Sequence, residues 1–311
     1  MIKKILKSVL HLPAEALLAS SSTLPSRIDA RSNQAILSHP SLAAKFYPYR
    51  PDSTSYCVPK VSTTDQVSGS HLPIPPPDLW VHRYLNADFE QYLAGGKKWT
   101  DNMLRTLETS GVSLAPQSRI LDLGCGDGMM LRQFREVAQN GEAWGTDLNG
   151  ELMIWCQQHL SPPFRFVTTT SFPHLPFEDG YFDLVYALSV FTHICDLAEA
   201  WLLELKRIVR PGGILYLTVH DRHTIDLISD QPTDLTLQLN RAEEGMRFRD
   251  SDFAWFTLNR APGGGIEGDV GPAQVFYDID YLAQHWGNYL EVVSITPEAY
   301  GYQTAMMLRK S

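Results

Sequence analysis

From about residue 86 onward, apolar residues follow two alternating patterns. Short continuous apolar runs read as buried strands, and between them apolar positions recur every three or four residues, as on one face of a helix. The runs are RILDL (119–123), EAWGTD (142–147), FRFVTT (164–169), FDLVYAL (182–188) and ILYLTV (214–219). Helical spacing covers 86–110, with Phe89, Tyr92, Leu93, Trp99, Met103, Leu104 and Leu107, and helices are expected again near 128–138 and 149–160. Leu197, Trp201, Leu205, Ile208 and Val209 form a further helical face, which Pro211-Gly212-Gly213 is expected to stop. Strands alternating with helices imply an α/β architecture, a doubly wound and mostly parallel sheet with helices on both faces. YDIDYLAQHW adds a closing helix, and LEVVSI (290–295) and YQTAMMLRK (302–310) lie close enough to pair antiparallel. Between about 221 and 275 periodicity is weak, and APGGGIEGDVGP (261–272) reads as a loop.

The first 80 residues differ. Residues 13–80 hold half of the 20 prolines together with serine clusters, a composition that disfavours long helices and strands. LPIPPPDLW (72–80) reads as a stiff polyproline segment leading into the main domain. In the opening MIKKILKSVLHL, Ile2, Ile5, Leu6, Val9 and Leu10 share a helical face beside Lys3, Lys4 and Lys7. Residues 1–12 therefore suit a peripheral membrane contact, self-association, or packing on the protein's own body. Lys7 and His11 interrupt the apolar run, so it is a poor signal peptide, and no run in the sequence is long enough to span a bilayer.

Composition narrows the function classes. At 311 residues, 44% hydrophobic and 20% charged, the chain can build a substantial core. Residues 1–80 carry eight Lys/Arg and five Asp/Glu, against 18 and 30 in the remainder, so the body is acidic. Nucleic-acid binding through the phosphate backbone needs clustered cations and is not expected. The four cysteines, Cys57, Cys125, Cys156 and Cys195, include no C-x-x-C pair, which indicates neither a zinc site nor a disulfide framework. A reducing, cytoplasmic setting fits this usage.

The chemistry concentrates at strand ends. After RILDL the chain turns through three alternating glycines, Gly124, Gly126 and Gly128, at the carboxyl end of a strand, where open α/β sheets bind ligands. A nicotinamide fingerprint G-x-G-x-x-G counted from Gly124 would place its third glycine at 129, which is Met129. Asp147 ends the next strand and suits a ribose, because a carboxylate accepts two hydroxyl hydrogen bonds. His193 follows the fourth strand, and His220, Asp221 and His223 follow the fifth. HDRH also has metal-like spacing, but without a fixed partner it reads as a polar loop, and no metal is expected.

With these motifs in order, the sequence resembles the class I S-adenosylmethionine-dependent methyltransferases over about residues 86–311. The resemblance rests on DLGCGDG, on Asp147 in GTDLN, on LPFEDGYFDLVYALSVFTHI, on LKRIVRPGGILYLTV and on the closing pair of strands. It implies a Rossmann-like, seven-stranded, mostly parallel sheet with one antiparallel C-terminal strand. It also implies a cofactor site formed by Asp122, Gly124, Cys125, Gly126, Gly128, Asp147, Leu148, Thr170, Ser171 and Leu188. Family members often carry an acid after the third strand to contact adenine; here Thr168-Thr169-Thr170-Ser171-Phe172 has none.

The expected activity is methyl transfer from S-adenosylmethionine to a small-molecule or sugar acceptor at oxygen, with His220 as base ahead of His193. The expected organisation is an extension (1–85), a core (86–220), an insertion or lid (221–276) and a closing helix and hairpin (277–311). Arg247, Phe248, Arg249, Phe253, Trp255 and Phe256 would roof the acceptor pocket or form a satellite core. Competing readings are a nicotinamide oxidoreductase, which Met129 and the closing hairpin oppose, and a catalytically silent cofactor-binding partner.

Overall fold

The computed structural model describes residues 46–48, 57–59, 72–81, 88–194, 197–229, 255–259 and 273–311. The strands are β1 (Phe46–Pro48), β2 (Cys57–Pro59), β3 (Arg119–Leu123), β4 (Glu142–Asp147), β5 (Arg165–Thr168), β6 (Phe182–Ala187), β7 (Val209–Val219), β8 (Trp255–Asn259), β9 (Ala273–Tyr277), β10 (Glu291–Tyr300) and β11 (Gln303–Arg309). The helices are α1 (Phe89–Thr109), α2 (Arg135–Asn140), α3 (Gly150–Leu160), α4 (Ala198–Ile208), α5 (Arg222–Ser229) and α6 (Ile279–Trp286).

The main sheet runs β1-β2-β5-β4-β3-β6-β7-β11-β10. Its seven-stranded core, β5 to β10, is parallel except for β11, which pairs antiparallel with both β7 and β10. Alternation within each strand sends side chains to both faces. In β7, Ile214 and Tyr216 join the layer of α1, α2 and α3, while Leu215 and Leu217 join the layer of α4 and α6. Both layers are dry, which is why these strands are continuously apolar. On α4, Trp201, Leu202, Leu205 and Ile208 are buried, each such side chain stabilising the fold by roughly 1.5–3 kcal/mol.

Four expectations are corrected. The helix expected over 128–138 starts only at Arg135, after a 3-10 turn at Leu131–Phe134. Gly128 has φ 78°, and Asp127 Oδ1 accepts from Met129 N at 3.1 Å, so the start of that stretch is held in a turn. Pro211-Gly212-Gly213 lies inside β7 instead of in a loop, as an irregular start: Gly212 N donates to Lys310 O (2.7 Å) and Lys310 N to Gly213 O (3.1 Å). The expected seven-stranded sheet is widened to nine by two three-residue strands of the N-terminal extension, since β1 and β2 pair with each other and β2 meets β5 at Cys57↔Thr168. Within the weakly periodic region, α5 and the β8–β9 pair are regular. Residues 1–12 and Arg247, Phe248, Arg249 and Phe253 lie outside the described residues. Of the expected roof, Trp255 is 44% exposed and Phe256 pairs with Phe276 along β8–β9. Among the described residues, no helix is long and apolar enough to cross a membrane.

Candidate functional site

Strand order reverses at β3, between β4 and β6, and the glycine turn follows the carboxyl end of that strand. The turn is pinned to β4: the N–H groups of Gly124 and Cys125 both donate to Thr146 O, at 2.7 and 3.0 Å. Gly124, Gly126 and Gly128 have φ of 75°, 54° and 78°, the left-handed region where a Cβ clashes. A Cβ on Gly124 would also lie 2.5 Å from Val190 Cγ2, so the turn after β6 packs directly on the glycine turn.

Asp147 ends β4 as expected. Its Oδ2 accepts from Gly126 N at 2.9 Å and its Oδ1 from Asn149 N at 2.8 Å. The Leu148 backbone also bonds this carboxylate, and with about four acceptor positions it keeps acceptor capacity for a ligand hydroxyl. Leu148 beside it is 45% exposed although apolar. Thr170 Oγ1 accepts from Phe172 N (3.3 Å) and Ser171 O from Trp201 Nε1 (3.3 Å), so this segment turns on itself after β5. Leu188 packs on the α1–α3 layer. Cys125 contributes backbone to the turn, while its side chain is buried and its thiol pKa is pushed up by burial, leaving it an inert thiol.

Three acids converge here. Burial pushes Asp122 up to about 8, with Asp147 and Asp127 adding repulsion. Burial also pushes Asp127 up to about 6 and raises Asp147. A buried acidic cluster favours a cationic ligand.

On the opposite side, a closed ring of hydrogen bonds joins β6, β7 and β11. Ser189 N donates to Thr218 Oγ1 (2.7 Å), Thr218 Oγ1 to Gln303 Oε1 (2.7 Å), and Gln303 Nε2 to Ser189 Oγ (2.8 Å). Ser189 is held at φ 56° there. Tyr277 joins the two histidine-bearing segments, donating from its N–H to His220 O at 2.8 Å and from its hydroxyl to Ile194 O at 2.8 Å. His220 is 2% exposed between the rings of Phe276 and Tyr302, and neither ring nitrogen has a hydrogen-bond partner among the described residues. Burial, with His193 nearby, pushes its pKa down to about 3. Asp221 instead caps α5, accepting from Thr224 N at 2.9 Å, and His223 turns outward to Glu298 at 3.1 Å. HDRH thus splits into one buried imidazole, one cap and one surface pair, and no metal-holding group occurs among the described residues.

Residues 121–217 match the family model described as a methyltransferase domain. These 97 residues, about a third of the chain, form a methyltransferase domain. The chain is 31% identical over 137 residues to an uncharacterized methyltransferase of Schizosaccharomyces pombe, covering 40% of this chain and 47% of the relative. It is 31% identical over 107 residues to a ubiquinone/menaquinone biosynthesis C-methyltransferase of Cupriavidus pinatubonensis, covering 32% and 42%. The aligned region thus spans less than half of these relatives' lengths. A solved S-adenosylmethionine-dependent methyltransferase from Clostridium acetobutylicum is similar at TM-score 0.47 and 12% identity, over 69% of this chain and 92% of that one.

The residues suit S-adenosylmethionine on three counts: glycines where a Cβ would clash, acceptor capacity on Asp147, and a cluster of acids that favours a cationic ligand. Sequence reasoning missed Asp127, Tyr277 and the Ser189–Gln303 ring. Asp127 was visible as an acid among glycines, whereas the other two gave no local signal.

The acids make stability depend on pH. A carboxyl with a raised native pKa keeps its proton where the unfolded chain, near 4, has lost it, so its contribution falls as pH rises from about 4 through about 8. The Asp122→Asn apoprotein should melt above wild type by roughly 5 °C at pH 8, with the gap closing toward pH 5. Thermal melts across that range check this; a gap independent of pH would remove Asp122 from the titrating set.

Proposed function

We propose that this chain is an S-adenosylmethionine-dependent methyltransferase acting at an oxygen of a small-molecule or sugar acceptor. The observation that supports it most is Asp147, half-buried at the end of β4 and bonded to Gly126 of the glycine turn at the point where strand order reverses. The cofactor supplies an electrophilic methyl group on a sulfonium, and attack on it is an in-line displacement. The protein's task is therefore mainly alignment and exclusion of water.

Asp147 would hold the ribose and Leu148 would cover the adenine, with Thr170 and Ser171 bordering that side. The Ser189–Thr218–Gln303 ring fixes the acceptor-side turn, with Val190 against Gly124. An imidazole with a pKa near 3 is a poor proton acceptor, so the base role expected of His220 passes to His193, half-buried on the turn after β6. His220 then orients the acceptor through ring nitrogens that have no partner among the described residues, and a bound polar group would relieve their desolvation. Oxygen is proposed as the methylated atom because a base at His193, close enough to His220 to affect its ionisation, suits a hydroxyl that must lose a proton. The bacterial relative is named a C-methyltransferase, and the product's methyl carbon shift in NMR separates the two outcomes.

An acceptor screen that reads S-adenosylhomocysteine release tests the reading. With an acceptor in hand, His193→Ala should lower kcat by about 10²-fold or more. His220→Ala should act mainly on acceptor KM. Full turnover in both variants would overturn the assignments. Cofactor binding with no turnover on any acceptor would favour the silent partner.

A further inference from the structure

The proline-rich stretch ahead of the domain has no part in the activity described above, yet its residues 72–81 lie against the glycine turn. Arg132 donates through Nη2 to Leu72 O at 3.0 Å and also to Pro73 O. Trp80 Nε1 donates to Pro75 O at 2.8 Å, and its indole stacks on Tyr92 of α1 with centroids 5.0 Å apart. Val81 N donates to Asp127 Oδ2 at 3.2 Å, while Asp127 Oδ1 accepts from Tyr92 Oη and Met129 N, both at 3.1 Å. One buried carboxylate thus ties the proline-rich stretch, α1 and the glycine turn together.

The stretch also touches the turn directly. A Cβ on Gly126 would lie 2.7 Å from Val81 Cγ2, so Val81 occupies the space a side chain there would need. Gly126 is the residue whose N–H holds the Asp147 carboxylate. Val81 remains 44% exposed beside the buried Trp80, leaving an apolar side chain on the surface of the turn.

We propose that residues 72–81 are part of the cofactor site, a strap that Asp127, as a positioning residue, holds on Gly126 so that the turn and Asp147 keep their binding geometry. The inference rests on the methyltransferase reading. A buried carboxylate beside two others is costly, and satisfying it with donors from three elements makes each of them depend on the others. Strap, turn and ribose acid then form one chain of contacts from Val81 through Gly126 to Asp147.

The test uses the full chain and S-adenosylhomocysteine, with Kd from isothermal titration at pH 8 and the unfolding midpoint of the same apoproteins. Val81→Pro deletes the N–H that Asp127 accepts and keeps an apolar side chain. Trp80, at φ −69° and ψ 122°, already has the backbone required of a residue before proline. Asp127→Asn puts an amide N–H where either Val81 N or Met129 N needs an acceptor. Both variants should bind about tenfold more weakly, mostly through faster dissociation, and Val81→Pro should melt near wild type. A wild-type Kd in Val81→Pro overturns the proposal, even if Asp127→Asn loses stability or does not fold. If wild type binds and both variants match it, the strap fails alone. If wild type does not bind, the methyltransferase reading fails and the strap with it.

Discussion

Replacing Asp147 with alanine should abolish the thermal shift that the cofactor and its product give the wild-type protein. At about 100 times its Kd a ligand stabilises by roughly 2.7 kcal/mol, or roughly 5–10 °C in a chain of this size. Asp147→Ala removes the charge-assisted hydrogen bonding offered to the ribose, worth about 1.5–3 kcal/mol per bond. It also releases Gly126 N from the carboxylate that orients it. A loss of about 10²-fold in affinity would leave roughly 0.4 kcal/mol of stabilisation at the same ligand concentration, close to no visible shift. Thermal unfolding with S-adenosylmethionine, S-adenosylhomocysteine and NADH, on wild type and variant, checks this. An undiminished shift in the variant would remove Asp147 from the site. A wild-type shift with NADH alone would mean that the turn at 124–128 holds a different nucleotide.

The second large effect is expected at Gly96, inside α1. Helix propensity alone favours Gly96→Ala by about 1 kcal/mol. The structure argues the opposite, because a Cβ there would sit 2.5 Å from Met129 O and 3.0 Å from Met129 Cγ. A backbone oxygen cannot rotate aside as a flexible side chain can, so α1 or the turn must shift, at about 1–3 kcal/mol. Gly96→Ala should therefore melt several degrees below wild type. It should also bind S-adenosylhomocysteine less tightly, since Met129 N is bonded to Asp127 at the end of the turn. Melting and titration of the same sample check both effects; a raised midpoint would mean that the helix and turn are less closely packed than described.

Local pattern carried much of the fold. β3 and β4 stand where RILDL and EAWGTD are written, and α3 and α4 follow closely, because strands buried on both faces and helices with one apolar stripe leave strong short-range periodicity. The positions of the glycine turn and of Asp147 were legible for a similar reason: a turn of positive-φ residues after a strand needs glycines at fixed offsets. Pro211-Gly212-Gly213 shows the limit. Its composition reads as a helix stop and loop, yet pairing with the C-terminal residues makes it the irregular start of β7.

By itself, then, the sequence determined the α/β order, the sheet's antiparallel closing strand and the glycine turn after β3 with an acid at the end of β4. Only tertiary structure decided that Gly96 is a point of close approach, that Asp127 joins the proline-rich stretch to the turn, and that the HDRH residues serve three separate purposes. Local pattern depends on neighbours a few positions away. These roles depend on contacts such as Val81 with Asp127 and Gln303 with Ser189, 46 and 114 residues apart in the chain, whose partners no spacing rule connects.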